Sequence, residues 1–329
     1  MKKLLTFFLA LILMILPFSA CKKSDGKIKI TLNEVAHSIF YAPLYVAIEK
    51  DFFEEENIEI SLTNGGGADN VMTALLSKNA QIGLMGPESS IYVYLQGKEN
   101  SPVVFGQLTN KDGSFLVGRV PEPNFKWEDL QGKEILSGRK GGVPAMTFEY
   151  LVNQHGLIDG ENVTLNTDVQ FNLMTAAFSE GQGDYCTMFE PNASEFEETG
   201  KGYIVASVGE GAGEVPYTSF VALDSYIKDN ENVINGFLKA LKKAYEFMET
   251  ATLDEIANAL VNQFPTFSLN AIKTSITSYQ NINAWTKDLQ MTTESFDRLQ
   301  DIIENAGELT SRVPFEKIVN NSYAKAIFG

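Results

Sequence analysis

The stretch that most constrains this chain runs from Lys27 to Ile60. Ile28, Ile30 and Leu32 alternate with polar residues, the period of two that marks a pleated strand. A polar and aromatic loop follows, from Asn33 to Tyr41. Pro43 fits the first turn of a helix, where its missing N–H costs nothing, and Leu44, Ala47 and Ile48 give that helix an apolar stripe. Ile58, Ile60 and Leu62 then form a second strand. Strand, loop, helix and strand in this order are the unit of a parallel sheet. Ligands of such sheets gather at the strands' carboxyl ends, beside helix N-termini. Glu34, His37, Phe40 and Tyr41 lie in that loop and are candidate ligand contacts; His37 could equally be a surface loop residue.

The same punctuation recurs downstream. Asn64-Gly65-Gly66-Gly67 separates the second strand from a helix built on Val71, Met72, Leu75 and Leu76; it reads as a ligand-approach loop or a plain tight turn. No Gly-Lys-Ser/Thr follows, so it is not a phosphate loop. A strand over 81–85 leads into Gly86-Pro87-Glu88-Ser89-Ser90 and another helix. Glu88 and Ser89 are candidate contacts, although an acid in a first helical turn also complements the dipole. Strands are expected over 103–108 and 114–117, with the turn-forming Lys111-Asp112-Gly113 between them. Ser114 opens the second of these and is a further candidate ligand contact. A short strand at 134–137, the loop Gly138 to Gly142 and a helix opened by Pro144 follow; Gly142 offers backbone N–H to a polar or anionic group. The strand 184–189 ends in Glu190-Pro191, which puts Glu190 at a carboxyl end, as ligand contact or as capping acid. After the strand 203–207 a glycine-rich turn is expected over 209–213, then Tyr217 and the strand 219–223. From Asp224 the pattern is wholly helical, with stripes through Phe237, Leu260, Ile276 and Leu299.

At 329 residues the chain is long enough for two domains. Lys2 and Lys3, the apolar run 4–17 and Phe18-Ser19-Ala20 before Cys21 have the form of a secretory signal, residues 1–20. Cys21 after Ser19-Ala20 resembles a bacterial lipobox, with Phe18 departing from the usual aliphatic residue. That resemblance implies lipid attachment at Cys21, a tether over 21–26 and a place on the extracytoplasmic face of a membrane. A plain signal peptide with an incidental cysteine is the alternative. Cys186 is the one other cysteine, so there is no disulfide framework. The formal charge of -16 argues against nucleic acid and against an anionic-lipid-binding surface.

The run Phe-Tyr-Ala-Pro-Leu-Tyr-Val-Ala-Ile-Glu-Lys-Asp-Phe-Phe at 40–53, with Ile-Gly-Leu-Met-Gly-Pro-Glu at 82–88, resembles the solute-binding proteins of ABC importers for nitrate, sulfonates and thiamine precursors. That group shares a fold with yeast-type thiamine pyrimidine synthases. The resemblance spans nearly all of the chain after the leader. It implies an α/β, two-lobed periplasmic-binding-protein-like fold of type II with two crossover strands. Lobe 1 would be 27–110 plus 218–329, lobe 2 would be 111–217, and the C-terminal helices would pack on lobe 1. It implies a monomer that hands a small-molecule solute to an importer permease. It also places Glu190 near the glutamate that binds an aminopyrimidine in thiamine-precursor receptors, and Tyr217 at the hinge.

Thiamine or an aminopyrimidine precursor is the favoured solute, since the loop aromatics, Glu190 and the acidic balance suit a flat, amine-bearing molecule. A sulfonate, nitrate or riboflavin-like solute is the alternative, and would gain weight if Arg139 and Lys140 faced the cleft. A secreted pyrimidine-processing enzyme, or a receptor feeding a sensor, are further alternatives. No catalytic residue, metal site or cofactor is expected. His37 and His155 are the only histidines, and no His-Glu-x-x-His, Cys-x-x-Cys or Gly-x-Ser-x-Gly is present. His155 reads as the end of a helix.

Overall fold

A computed structural model describes residues 26–329. The signal segment, Cys21 and nearly all of the expected tether lie outside the described residues. Ten strands divide between two five-stranded sheets. The first holds β1 (Ile28–Glu34), β2 (Ile58–Asn64), β3 (Ile82–Met85), β4 (Pro102–Thr109) and β10 (Thr218–Leu223) in the order β2-β1-β3-β10-β4. The second holds β5 (Ser114–Gly118), β6 (Glu134–Leu136), β7 (Thr164–Asn166), β8 (Tyr185–Phe189) and β9 (Tyr203–Ser207) in the order β7-β6-β8-β5-β9.

The two orders are the same pattern. β1 pairs parallel with β2 and β3, and β6 pairs parallel with β7 and β8. The fourth slot of each sheet is taken by the strand that arrives from the other sheet, and it runs antiparallel to both neighbours. The sheets are therefore mixed rather than parallel throughout. Because of this reversal, the carboxyl ends of β1, β3, β6 and β8 and the amino ends of β5 and β10 sit at the same edges. Glu34, Gly86, Glu190, Ser114 and Thr218 are gathered there by topology. This is the α/β fold of periplasmic binding proteins.

The helices cover the sheets with the stripes the spacing predicts. Glu231–Thr250 buries Ile234, Phe237, Leu238 and Leu241. Phe237 meets Phe53, Phe105 and Phe220, whose ring centroids lie 5.0 to 5.8 Å away. Each fully buried ring of this kind stabilises the fold by about 1.5–3 kcal/mol. The helices Leu253–Leu260, Leu269–Asn281 and Thr293–Asn305 follow, and Gly307 ends the last in a left-handed conformation. They do more than back the first sheet. Thr293–Asn305 packs on the helix Val143–Gln154 of the other half, and Arg298 donates to the carbonyl of Ala212.

One local expectation is overturned. Residues 208–212 form a short helix, Val208–Ala212, not a glycine turn. Its glycines are there for close packing. A Cβ on Gly209 would sit 2.2 Å from the carbonyl oxygen of Asp112, and one on Gly211 would sit 2.8 Å from the Trp127 ring. His155 does follow the last turn of Val143–Gln154, where its Nδ1 lies 2.8 Å from Glu128.

Candidate ligand-binding cleft

The loop after β1 builds one wall of the cleft. Ser38 caps the short turn Ile39–Tyr41 by accepting from the Phe40 N–H. Its own hydroxyl donates to the carbonyl of Glu190 at 2.7 Å, which ties the first half to the second. Tyr279 makes a parallel tie: its hydroxyl accepts from the Glu190 N–H at 2.9 Å and donates to the Gly113 carbonyl at 3.1 Å. Asp69 faces Arg139 at 3.6 Å, and the Tyr92 hydroxyl donates to the carbonyl of Gly141 at 3.0 Å.

Between these ties lies a cavity with about 570 Å³ of empty space, partly open to solvent. From the first half it is lined by Val35, Ser38, Tyr41, Glu88 and Thr218; from the second by Arg139, Gly142, Phe171, Phe189 and Tyr217. Four rings thus face it. Phe171 meets Phe189 edge to face at 5.7 Å, and Phe189 lies 6.2 Å from Tyr217. A second chamber shares Ser38, Phe171 and Phe189 with the first and adds His37, Asn64, Asn172, Thr187 and Glu190.

Glu88 is the polar centre of the first chamber. It is 1% exposed, and its Oε2 has no hydrogen-bond partner in the protein. Burial pushes its carboxyl up to about 7, against the pull of the Glu88 and Val143 backbone N–H groups, the Arg139 charge and the Ser89 N–H. Val143 opens a helix of the second half, so this acid is held from both sides. Gly86 makes room for it: a Cβ there would sit 2.0 Å from Oε2.

Tyr41, Glu88, Gly142 and Tyr217, all singled out from the sequence, line this chamber, and His37 and Glu190 line the second. The other candidates support the wall from behind. Glu34 is buried and spends its carboxylate on the Tyr45 hydroxyl at 2.6 Å and His37 Nδ1 at 2.7 Å. His37 Nε2 lies 2.9 Å from the Gln263 carbonyl, and its ring stacks on Phe264 at 4.8 Å. Two acceptors on one imidazole call for the doubly protonated ring. Burial opposes that charge, but the hydrogen bond and charge of Glu34 and the Gln263 carbonyl outweigh it and raise the pKa of His37.

Phe40 is fully buried, with its ring between Tyr41, Phe189, Tyr217 and Tyr279 at 5.0 to 5.8 Å. It lies against Gly113, where a Cβ would meet the ring at 2.5 Å. Ser89 is buried beside Glu88. Ser114 gives both its N–H and hydroxyl to Asp112 Oδ1, at 2.7 and 2.6 Å. Burial pushes Asp112 up to about 6, against the Ser114 bonds and the nearby Tyr217 hydroxyl.

Glu190 faces the second chamber with its carboxylate turned back onto its own helix. Its two oxygens accept from the Ser194 N–H and hydroxyl at 2.9 and 2.8 Å, the capping role that the sequence left open. Its pKa is raised by burial, against those bonds and that from Ser278. Sequence reasoning missed Ser38, Phe171 and Phe189 as cleft residues. Phe171 stands at helical spacing from Met174 and Phe178, the pattern of a core stripe, yet it begins a separate turn, Phe171–Leu173, ahead of the helix Met174–Ser179. Among the described residues no group of three His, Cys, Asp or Glu could hold a metal ion, and no helix is long and apolar enough to cross a membrane.

Comparisons with known proteins fit this architecture. YtlA of Bacillus subtilis (strain 168), named as a binding protein, is 40% identical over 316 residues, which are 96% of this chain and 95% of YtlA. The 4-amino-5-hydroxymethyl-2-methylpyrimidine phosphate synthase of Candida albicans (strain WO-1) is 23% identical over 238 residues, 68% of each chain. The alkanesulfonate-binding protein SsuA from Xanthomonas axonopodis pv. citri, solved bound to MOPS, superimposes with a TM-score of 0.72 at 15% identity; the match covers 89% of this chain and 98% of SsuA. The family model described as NMT1/THI5 like matches residues 39–251. With that match and the YtlA relationship, this chain belongs to the NMT1/THI5-like family.

Proposed function

We propose that this chain is the extracytoplasmic solute receptor of an ABC importer, and that its solute is small, planar and amine-bearing, as thiamine or an aminopyrimidine precursor is. The relationship to a protein named as a binding protein supports the receptor role. The observation that carries the choice of solute is the free Oε2 of buried Glu88 beneath a chamber of four aromatic rings. A ligand amine would donate to that oxygen, and the rings would flank its flat face at ~0.5–1.5 kcal/mol per stack beyond burial. The lobes 27–110 plus 218–329 and 111–217 would close on the solute about segments 110–113 and 213–217. Closure is driven only by contacts that the solute makes in the closed state. The receptor would act as a monomer held to the membrane through lipid on Cys21.

A sulfonate or nitrate is the competing solute, because Arg139 does line the chamber. Lys140 does not; its side chain is 79% exposed and lies near Glu308. Processing of a pyrimidine finds less support. Cys186 is buried in β8 with its thiol pushed well up by burial, which suits packing rather than nucleophilic attack.

A thermal-shift screen against thiamine, a formylated aminopyrimidine, riboflavin, taurine and nitrate tests the reading, since a ligand that binds the native state raises its stability. The aminopyrimidine or thiamine is expected to raise the melting temperature. A shift with taurine or nitrate alone would remove the amine-bearing solute, and no shift with any of them would count against this solute set.

A further inference from the structure

Arg139 is the one strong anion-binding side chain in the chamber wall. A guanidinium offers a planar fork of donors that suits sulfonate, carboxylate or nitrate. Left to itself it would make the cleft an anion site. It is not left to itself. Its Nε faces Asp69 Oδ1 at 3.6 Å, its Nη1 donates to the Lys140 carbonyl at 3.2 Å, and its charge acts on the buried Glu88 carboxyl. Asp69 and Glu88 belong to the first half of the molecule, on the helices Ala68–Leu76 and Glu88–Leu95. Arg139 belongs to the second, in the loop after β6. The three charges come together only when the halves do.

We propose that Arg139 is the specificity-determining residue of the cleft, and that Asp69 and Glu88 cancel it on closure so that the closed chamber excludes anions. This rests on the reading of the chamber as a solute site. Glu88 lines the chamber and Asp69 stands beside it, so two acids against one arginine leave the charge around Arg139 net negative. A sulfonate entering would have to displace Arg139 from Asp69 and sit against Glu88. An amine meets Glu88 Oε2 without that conflict. Arg139 then serves as the cross-cleft partner of the two acids, drawing the halves together, rather than as a ligand donor. The sign of charge accepted by the cleft is thus set by three residues on opposite sides of it.

Isothermal titration at pH 8 with the full chain tests this, using 4-amino-2,5-dimethylpyrimidine and methanesulfonate as probes. The variants are Asp69→Asn, Glu88→Gln, the two combined, and the combination carrying Arg139→Gln. The double variant is expected to bind methanesulfonate tighter than the wild type on the order of tenfold or more, and Arg139→Gln is expected to erase that gain. Asp69 lies on an exposed helix face, so Asp69→Asn keeps the test readable if Glu88 variants fold poorly; it is expected to show part of the gain. No gain, or a gain that survives Arg139→Gln, overturns the proposal. A wild type that ignores the aminopyrimidine while the double variant gains methanesulfonate would remove the amine reading and leave the charge cancellation standing.

Discussion

The hydroxyl of Ser38 donates to the main-chain carbonyl of Glu190 at 2.7 Å, across 152 residues of sequence. One residue follows β1 of the first sheet and the other follows β8 of the second. The bond is buried and can exist only when the halves are together. A buried neutral hydrogen bond contributes about 0.5–1.5 kcal/mol net, and more is lost when one partner is left unpaired. Ser38→Ala is therefore expected to weaken solute affinity by roughly threefold to thirtyfold. Titration calorimetry would measure it. Because Ser38 also caps the turn at Ile39–Tyr41, a modest fall in melting temperature should accompany the loss.

Stability should fall as pH rises from about 4.5 toward 8. The carboxyl of Glu88 stands at about 7 in the folded chain, above its unfolded value, so between those values the native state binds more protons than the unfolded one. Asp112, at about 6, and Glu190, raised by burial, act in the same sense. So does His37: its raised pKa gives stability that is complete below its unfolded value and lost as pH climbs through the folded one. Each full proton is a slope of about 1.4 kcal/mol per pH unit. Urea melts across this range would show the slope, and Glu88→Gln should remove part of it. Affinity for an amine-bearing solute should run the other way, weakening as Glu88 takes up its proton below about pH 7.

The segment 208–212 should not tolerate a larger residue at Gly209. The added Cβ would lie 2.2 Å from the Asp112 carbonyl oxygen, and both groups are backbone-fixed. Overpacking of this sort costs about 1–3 kcal/mol. Gly209→Ala should lower the urea midpoint, whereas Gly97→Ala, which meets nothing within 4 Å but has a positive φ, should cost only the backbone strain.

Phe171 and Phe189 should matter more to binding than to folding, because both are partly exposed in the cleft. Phe171→Leu removes one flat face and should weaken a planar solute by about 0.5–1.5 kcal/mol, up to roughly tenfold. Phe40→Leu should instead cost folding stability, since that ring is fully buried against Gly113.

The β1 loop and the two acids at strand ends were legible because periodicity locates strand ends, and strand ends face the cleft in this topology. Orientation was not legible. Glu190 and Glu88 both sit at a strand's carboxyl end before a helix. One turns back because Ser194 offers a backbone and a hydroxyl donor; the other keeps a free oxygen because Gly86 leaves space for it. Phe171 was hidden by a stripe that continues through it at helical spacing, although the backbone breaks into a short turn there. The glycines at 209 and 211 look like turn residues until the packing partners, Asp112 and Trp127, are known. Ser38 carried no signal at all, since its partner lies 152 positions away.

The most direct measurement is a crystal structure of the chain with a bound aminopyrimidine. The ring is expected between Tyr41, Phe171, Phe189 and Tyr217, with its exocyclic nitrogen within hydrogen-bond distance of Glu88 Oε2 and Arg139 still facing Asp69. A solute held by Arg139 with Glu88 turned away, or one seated outside the chamber, would contradict this placement.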